Sequence, residues 1–202
     1  MPLRLGVFGG SFNPIHLGHL LVADDVRHQL RLDRVLFIPA WHPPHKSGPL
    51  TPYRHRLAMT RLAVDGKPGF ELCPIEESRP GPSYTVDTLR ELESLHPGAA
   101  LYLIVGSDQY RDVASWHRPD QLTGLARVVV MSRPGVEQPA LFPGHRPERV
   151  LFHPIIPVGI SAAAIRARLA KGCSVRYMLP VRVAEYVRRH RLYRRPTTRR
   201  SA

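Results

Sequence analysis

The chain has 202 residues, 43% of them apolar, and a formal net charge of +13. That length and composition suit one α/β domain with its own core, and no apolar window approaches the roughly 20 residues a membrane span needs. Two cysteines, Cys73 and Cys173, stand far apart with no Cys-x-x-Cys pair, which argues against a disulfide framework or a thiolate metal site.

Met1 to Arg4 leads straight into an apolar run, Leu3 to Phe8, with no secretory leader expected before it. The run reads as a buried strand, and the apolar-periodic segment Leu17 to Leu30 reads as a helix. Between them lies Gly9-Gly10-Ser11-Phe12-Asn13-Pro14-Ile15-His16-Leu17-Gly18-His19, a glycine-rich turn between strand and helix. Such a turn presents backbone N–H groups to a phosphate. Val35 to Pro39 is a second strand, and a helix between two such strands implies a βαβ unit and a parallel sheet. The segment Ala40 to Pro49 is too rich in proline and glycine to be regular, and it falls where open α/β sheets bind ligands. A helix follows from Pro52 to Val64, with Thr51 as its expected cap and Arg54, His55 and Arg56 near its start.

Phe70 to Cys73 is a short strand, and Ser83-Tyr84-Thr85 opens a helix through Leu95. Ala100 to Val105 is nearly all apolar, as a central strand covered on both faces should be. It runs into the small-residue turn Gly106-Ser107-Asp108. Ala126 to Met131 and Val150 to His153 complete the strands, separated by a loop from Val136 to Pro147. Helices are expected from about Gly159 to Lys171 and from Pro180 to His190. The expected architecture is α/β, a Rossmann-like doubly wound, mainly parallel sheet with helices on both faces. Residues 1–190 form one domain, and 191–202 form a basic, disordered tail. Arg188 to Ala202 carries seven arginines and no acid, which reads as a solvated extension. A basic nucleic-acid-binding protein is the competing class, but no recognised binding module accompanies the arginines.

His16 and His19, three residues apart, place two imidazoles beside a helix N-terminus. Transfer of a nucleotidyl group needs donors aimed at oxygens that gain charge, and little covalent help. A zinc pair is the weaker alternative, since His-x-x-His needs a third ligand and none stands nearby in sequence.

The stretch Gly-Gly-Ser-Phe-Asn-Pro-Ile-His-x-Gly-His resembles the signature of the HxGH nucleotidyltransferase superfamily. Within it the chain is most similar to the bacterial nicotinate-nucleotide adenylyltransferases. The likeness runs from Leu3 to about Tyr193 and takes in Pro43-Pro44-His45-Lys46, Tyr84 to Leu89, Gly106-Ser107-Asp108, Trp116, Ser132 to Gly135, and Ser161 with Ile165-Arg166. The resemblance implies attack by the phosphate of nicotinate mononucleotide on the α-phosphorus of ATP, releasing pyrophosphate, with Mg²⁺ carried by the ATP phosphates. It implies His16, His19, Lys46 and Arg166 as catalytic residues. Gly9, Gly10, Ser11, Phe12, Gly18, Gly106, Asp108 and Ser161 would join His16, His19 and Arg166 around ATP. His45, Tyr84, Thr85, Trp116 and Arg133 would take the acceptor, in a cytoplasmic enzyme of NAD synthesis. The same chemistry on nicotinamide mononucleotide or another phosphate is the nearest alternative. One departure stands out. Where the family usually has Ile-Ser-Ser-Thr-x-Ile-Arg, this chain has Ile160-Ser161-Ala162-Ala163-Ala164-Ile165-Arg166, without the hydroxyl expected at 163. Restoring it with Ala163→Thr is expected to lower the KM for ATP.

Overall fold

A computed structural model describes residues 2–44, 50–77, 79–132, 135, 137–156 and 158–194. Among the described residues six strands, β1 (Arg4–Gly10), β2 (Arg34–Pro39), β3 (Phe70–Leu72), β4 (Ala100–Gly106), β5 (Arg127–Ser132) and β6 (Val150–Pro154), form one sheet in the order β3-β2-β1-β4-β5-β6. Every pairing is parallel. The longer helices are α1 (Leu17–Gln29), α2 (Tyr53–Val64), α3 (Thr85–Leu95), α6 (Ala162–Ala170) and α7 (Val181–Arg189), with the short α4 (Ser107–Arg111) and α5 (Leu122–Leu125) between β4 and β5. Among the described residues no helix is long and apolar enough to cross a membrane.

The apolar runs are continuous because helices cover both faces of the sheet, and their alternation decides which residue meets which layer. Phe8, Val35, Phe37, Ile104 and Val129 face a core that includes Ala23 and Val26 of α1, Met59 of α2, Ile165 of α6 and Val183 and Val187 of α7. Leu5, Val7, Leu36, Leu103 and Val128 face the other, with Val86, Leu89 and Leu92 of α3, Tyr110 of α4 and Leu122 of α5. After β3 the chain crosses back to lay β4 on the far side of β1. Strand order therefore reverses between β1 and β4, and a crevice opens outside their carboxyl ends. Gly9-Gly10 and Gly106 stand there.

Three local expectations change. Thr51 does not cap α2: the N-cap is Pro52, in extended backbone. The Thr51 carbonyl instead accepts from Arg56 Nε at 3.0 Å. Gly106-Ser107-Asp108 is no bare turn but the start of α4, whose Tyr110 is buried. The loop after β5 is pinned to it, since His145 Nε2 donates to Pro119 O (2.9 Å) and Nδ1 accepts from the Tyr110 hydroxyl (3.0 Å). Finally, the domain does not stop at 190. Leu192 and Tyr193 pack on the first core, and the Tyr193 hydroxyl donates to Asn13 Oδ1 at 2.8 Å. An arginine-rich stretch reads as solvated by composition, but its apolar members follow the core. Both cysteines, Cys73 half-buried and Cys173 exposed, are free thiols.

Candidate active site

Two adjoining cavities fill the crevice. One, of about 360 Å³, is lined by Gly9, Gly10, Ser11, Phe12, His16, Gly18, His19, Gly106, Asp108 and Ser161, with Gln109, Met131 and Ala162 among the others. These are the residues expected around ATP, save one. The other cavity, of about 460 Å³, is lined by Tyr84, Thr85 and Trp116, together with Glu76, Ser83, Thr88, Asp112 and His117. Gly9, Gly10, Ser11 and Gln109 belong to both walls. Among the described residues, its two chain neighbours aside, a Cβ built on Gly9 meets no atom within 4 Å. The backbone there borders open space in which a ligand can approach it.

The first turn is held by packing and by a histidine pair. Phe12 takes φ +41°, a left-handed angle that is strained for a bulky side chain. Its buried ring lies 5.2 Å from the His19 ring and 5.9 Å from that of Phe8. His16 is the N-cap of α1 rather than a helical residue, and its ring stacks on His19 at 3.6 Å. The His16 backbone N–H donates to His19 Nδ1 at 3.1 Å. A neutral His19 ring that accepts at Nδ1 must carry its proton on Nε2, which is therefore a donor. Gly18 makes room for the stack, because a Cβ there would lie 3.1 Å from His16 Nδ1.

Burial alone pushes the His16 imidazole down to about 4. Burial, and then the neighbouring His16, hold His19 well below its ordinary value. The sequence suggested protonatable donors; in the free protein both rings are neutral at pH 7, because the crevice withdraws them from water. A histidine whose folded pKa is depressed binds protons preferentially when unfolded. Its contribution to stability is present above about pH 6.5 and is lost as pH falls toward 4. Between pH 7 and 4.5 the wild-type chain should thus lose about 2 kcal/mol more stability than His16→Gln would, read from urea midpoints at the two pH values. Parallel pH dependences for the two proteins would refute the burial argument.

Ser161 caps α6 as expected, its hydroxyl accepting from Ala164 N at 3.1 Å. Ala162 lies on the cavity wall, whereas Ala163 is exposed and is not among the lining residues. Arg166 departs from its expected place. It lies outside both walls, and Nη1 donates to Asn13 O at 2.8 Å, so its visible effect is to brace the first turn. Asp108 is exposed and pairs with Arg111 at 3.0 Å. His45, Lys46 and Arg133 lie outside the described residues.

In the second cavity the N-terminus of α3 has no side-chain cap among the described residues, and its N-cap Tyr84 and first residue Thr85 stand on the wall. Tyr84 stacks with His117 at 4.2 Å. Glu76, buried, accepts from the Thr88 hydroxyl at 2.8 Å and from Trp41 N at 3.3 Å, joining α3 to the loop after β2. Sequence reasoning missed Gln109, Glu76 and His117, which carry no motif and reach the crevice only through the chain path. It noted Arg56 only as one of three basic residues on α2. This side chain is 2% exposed and donates to four backbone carbonyls around the site.

Residues 7–168 match the cytidylyltransferase-like family model. The chain is 46% identical over 197 residues to a probable nicotinate-nucleotide adenylyltransferase of Thermomicrobium roseum, covering 95% of this chain and 92% of that one. It is 49% identical over 194 residues to one from Thermus thermophilus, covering 95% and 100%. The fold is also that of Plasmodium falciparum nicotinic acid mononucleotide adenylyltransferase complexed with NaAD, at a TM-score of 0.76 and 22% identity, covering 94% of this chain and 97% of that one. Among the described residues no cluster of three or more His, Cys, Asp or Glu side chains is placed to hold a metal ion. The chain belongs to the cytidylyltransferase-like family and, within it, to the nicotinate-nucleotide adenylyltransferases.

Proposed function

We propose that this enzyme transfers the adenylyl group of ATP to nicotinate mononucleotide, giving nicotinate adenine dinucleotide and pyrophosphate in NAD biosynthesis. The observation that carries it is the pair of cavities sharing the Gly9–Ser11 turn, one holding the histidine pair and the other an uncapped helix N-terminus with aromatic walls. Two nucleotides bound on either side of one turn can meet there at a phosphate.

In this reading a phosphate oxygen of the mononucleotide forms the new bond to the α-phosphorus. The bond from the α-phosphorus to its bridging oxygen breaks, and the electron pair leaves with pyrophosphate. His19, donating from Nε2, and His16 stabilise charge on the oxygens of the reacting phosphate. Lys46 balances the departing pyrophosphate, and His45 takes the acceptor. Gly106 and Asp108 hold the adenosine ribose, and Ser161 with the start of α6 faces the triphosphate. The first-turn N–H groups of α3 receive the nicotinate carboxylate, Trp116 stacks on the pyridine ring, and Arg133 meets the mononucleotide phosphate. Magnesium enters as part of the MgATP substrate, in the cytoplasm, where two free thiols are kept reduced.

A turnover assay of the purified chain with MgATP and each of nicotinate mononucleotide, nicotinamide mononucleotide and phosphopantetheine tests this. The nicotinate form should be used at the highest kcat/KM, and a preference for phosphopantetheine would overturn the reading. The late motif gives a finer check. Ala162→Ser adds a hydroxyl to the wall itself and should lower the KM for ATP about two- to tenfold, the scale of one hydrogen bond. Ala163→Thr, one residue off the wall, should lower it less.

A further inference from the structure

Arg56 is among the largest fully buried side chains, on the first turns of α2. Its Nε donates to Thr51 O at 3.0 Å and its Nη1 to both Ser11 O at 2.9 Å and Ala40 O at 2.8 Å, while Nη2 approaches Trp41 O at 3.4 Å. Ser11 belongs to the turn after β1 and lines both cavities; Ala40 follows β2 and lines the acceptor cavity. One guanidinium thus ties together the two strand-end turns between which the substrates must meet. Among the described residues it makes no ion pair. Carbonyl dipoles and the Tyr53 ring, 5.3 Å below it, face the cation, and Glu76 acts on it only at longer range. A buried charge without a bonded counter-ion costs several kcal/mol. A purely structural brace would be cheaper with neutral donors.

We propose that Arg56 is a positioning residue for this reaction: it fixes the separation of the Ser11 and Ala40 turns, and the anionic phosphates of the substrates balance its charge. The activity readout rests on the adenylyl-transfer reading; the binding readouts do not. Lysine keeps the charge but not the planar fork that reaches several carbonyls, and glutamine keeps donors but not the charge.

The test uses the full chain with Arg56→Lys and Arg56→Gln. Kinetics are taken at a temperature where each is folded, and thermal midpoints are read with and without saturating inorganic pyrophosphate. Arg56→Lys should lower kcat at least about tenfold, as misplaced reactants do, while the KM for ATP moves by no more than about threefold. In Arg56→Gln the rise in midpoint caused by pyrophosphate should be less than half that of wild type. A wild-type kcat in Arg56→Lys overturns the positioning role, and an undiminished pyrophosphate shift in Arg56→Gln overturns the charge balance. Should either variant fail to fold, hydrogen exchange on the wild-type chain decides: pyrophosphate should protect amides of residues 10–13 and 40–43 together. Protection confined to 10–13 overturns the proposal. If the wild-type chain releases no pyrophosphate from ATP with any acceptor, the functional reading fails, while the midpoint and exchange measurements still judge Arg56.

Discussion

Replacing His19 with alanine lowers kcat by about a hundredfold or more in a pyrophosphate-release assay, the scale for losing one preorganised donor. The ring has two attachments, and they predict two effects. As a donor it offers Nε2–H, because Nδ1 is taken by the His16 backbone. As a packing group it touches the rings of Phe8 and Phe12 and lies flat on His16. On sequence alone this position faces ligand and the fold survives its loss intact. The structure adds that alanine leaves a gap beside two phenylalanines and removes the acceptor of a part-buried N–H, so the thermal midpoint also falls. Asparagine, which can return an oxygen to the His16 N–H, should recover part of the stability and little of kcat. An active His19→Ala enzyme would remove the histidine from the mechanism.

The second large effect lies at the other end of the chain. Ending it after His190 removes Leu192 and Tyr193, and with them the hydroxyl that donates to Asn13 Oδ1. Two partly buried side chains and one orphaned buried acceptor amount to about 2 to 4 kcal/mol. In a domain of this size that lowers the thermal midpoint by roughly 5 to 15 °C. Because Asn13 lies in the turn between Ser11 and His16, activity should fall with it even well below the midpoint. Ending the chain after Arg194 keeps these contacts and should stay within about 0.5 kcal/mol of wild type. Equal stability in the two truncations would show that the Tyr193 contact contributes nothing.

Much of the fold was legible because its signals are local. Buried parallel strands announce themselves as unbroken apolar runs, and β1, β2, β4 and β5 stand where Leu3–Phe8, Val35–Pro39, Ala100–Val105 and Ala126–Met131 said. The glycine-rich turn and the Ser161 cap were legible for the same reason, since a short stretch of backbone and one side chain settle them. What escaped has a common origin. The helix α4 spans only Ser107–Arg111, too short for a periodic signal, and exists because Tyr110 is drawn into the core. Arg56 looks like an ordinary surface arginine on a helix start until the turns after β1 and β2 close over it. Tyr193 sits among arginines that a composition argument assigns to solvent.

The amino-acid sequence by itself determined the parallel sheet, the glycine-rich turn and the histidine pair, because hydrophobic period and residue spacing act over a few positions. Only the tertiary structure decided that the Gly9–Ser11 turn serves two cavities, that both histidines are neutral with the His19 proton on Nε2, and that Arg166 and Tyr193 brace Asn13. Those outcomes depend on strand order and on burial, which are set by residues far apart in the chain. A pKa or a shared wall is a property of the surroundings that the folded chain assembles.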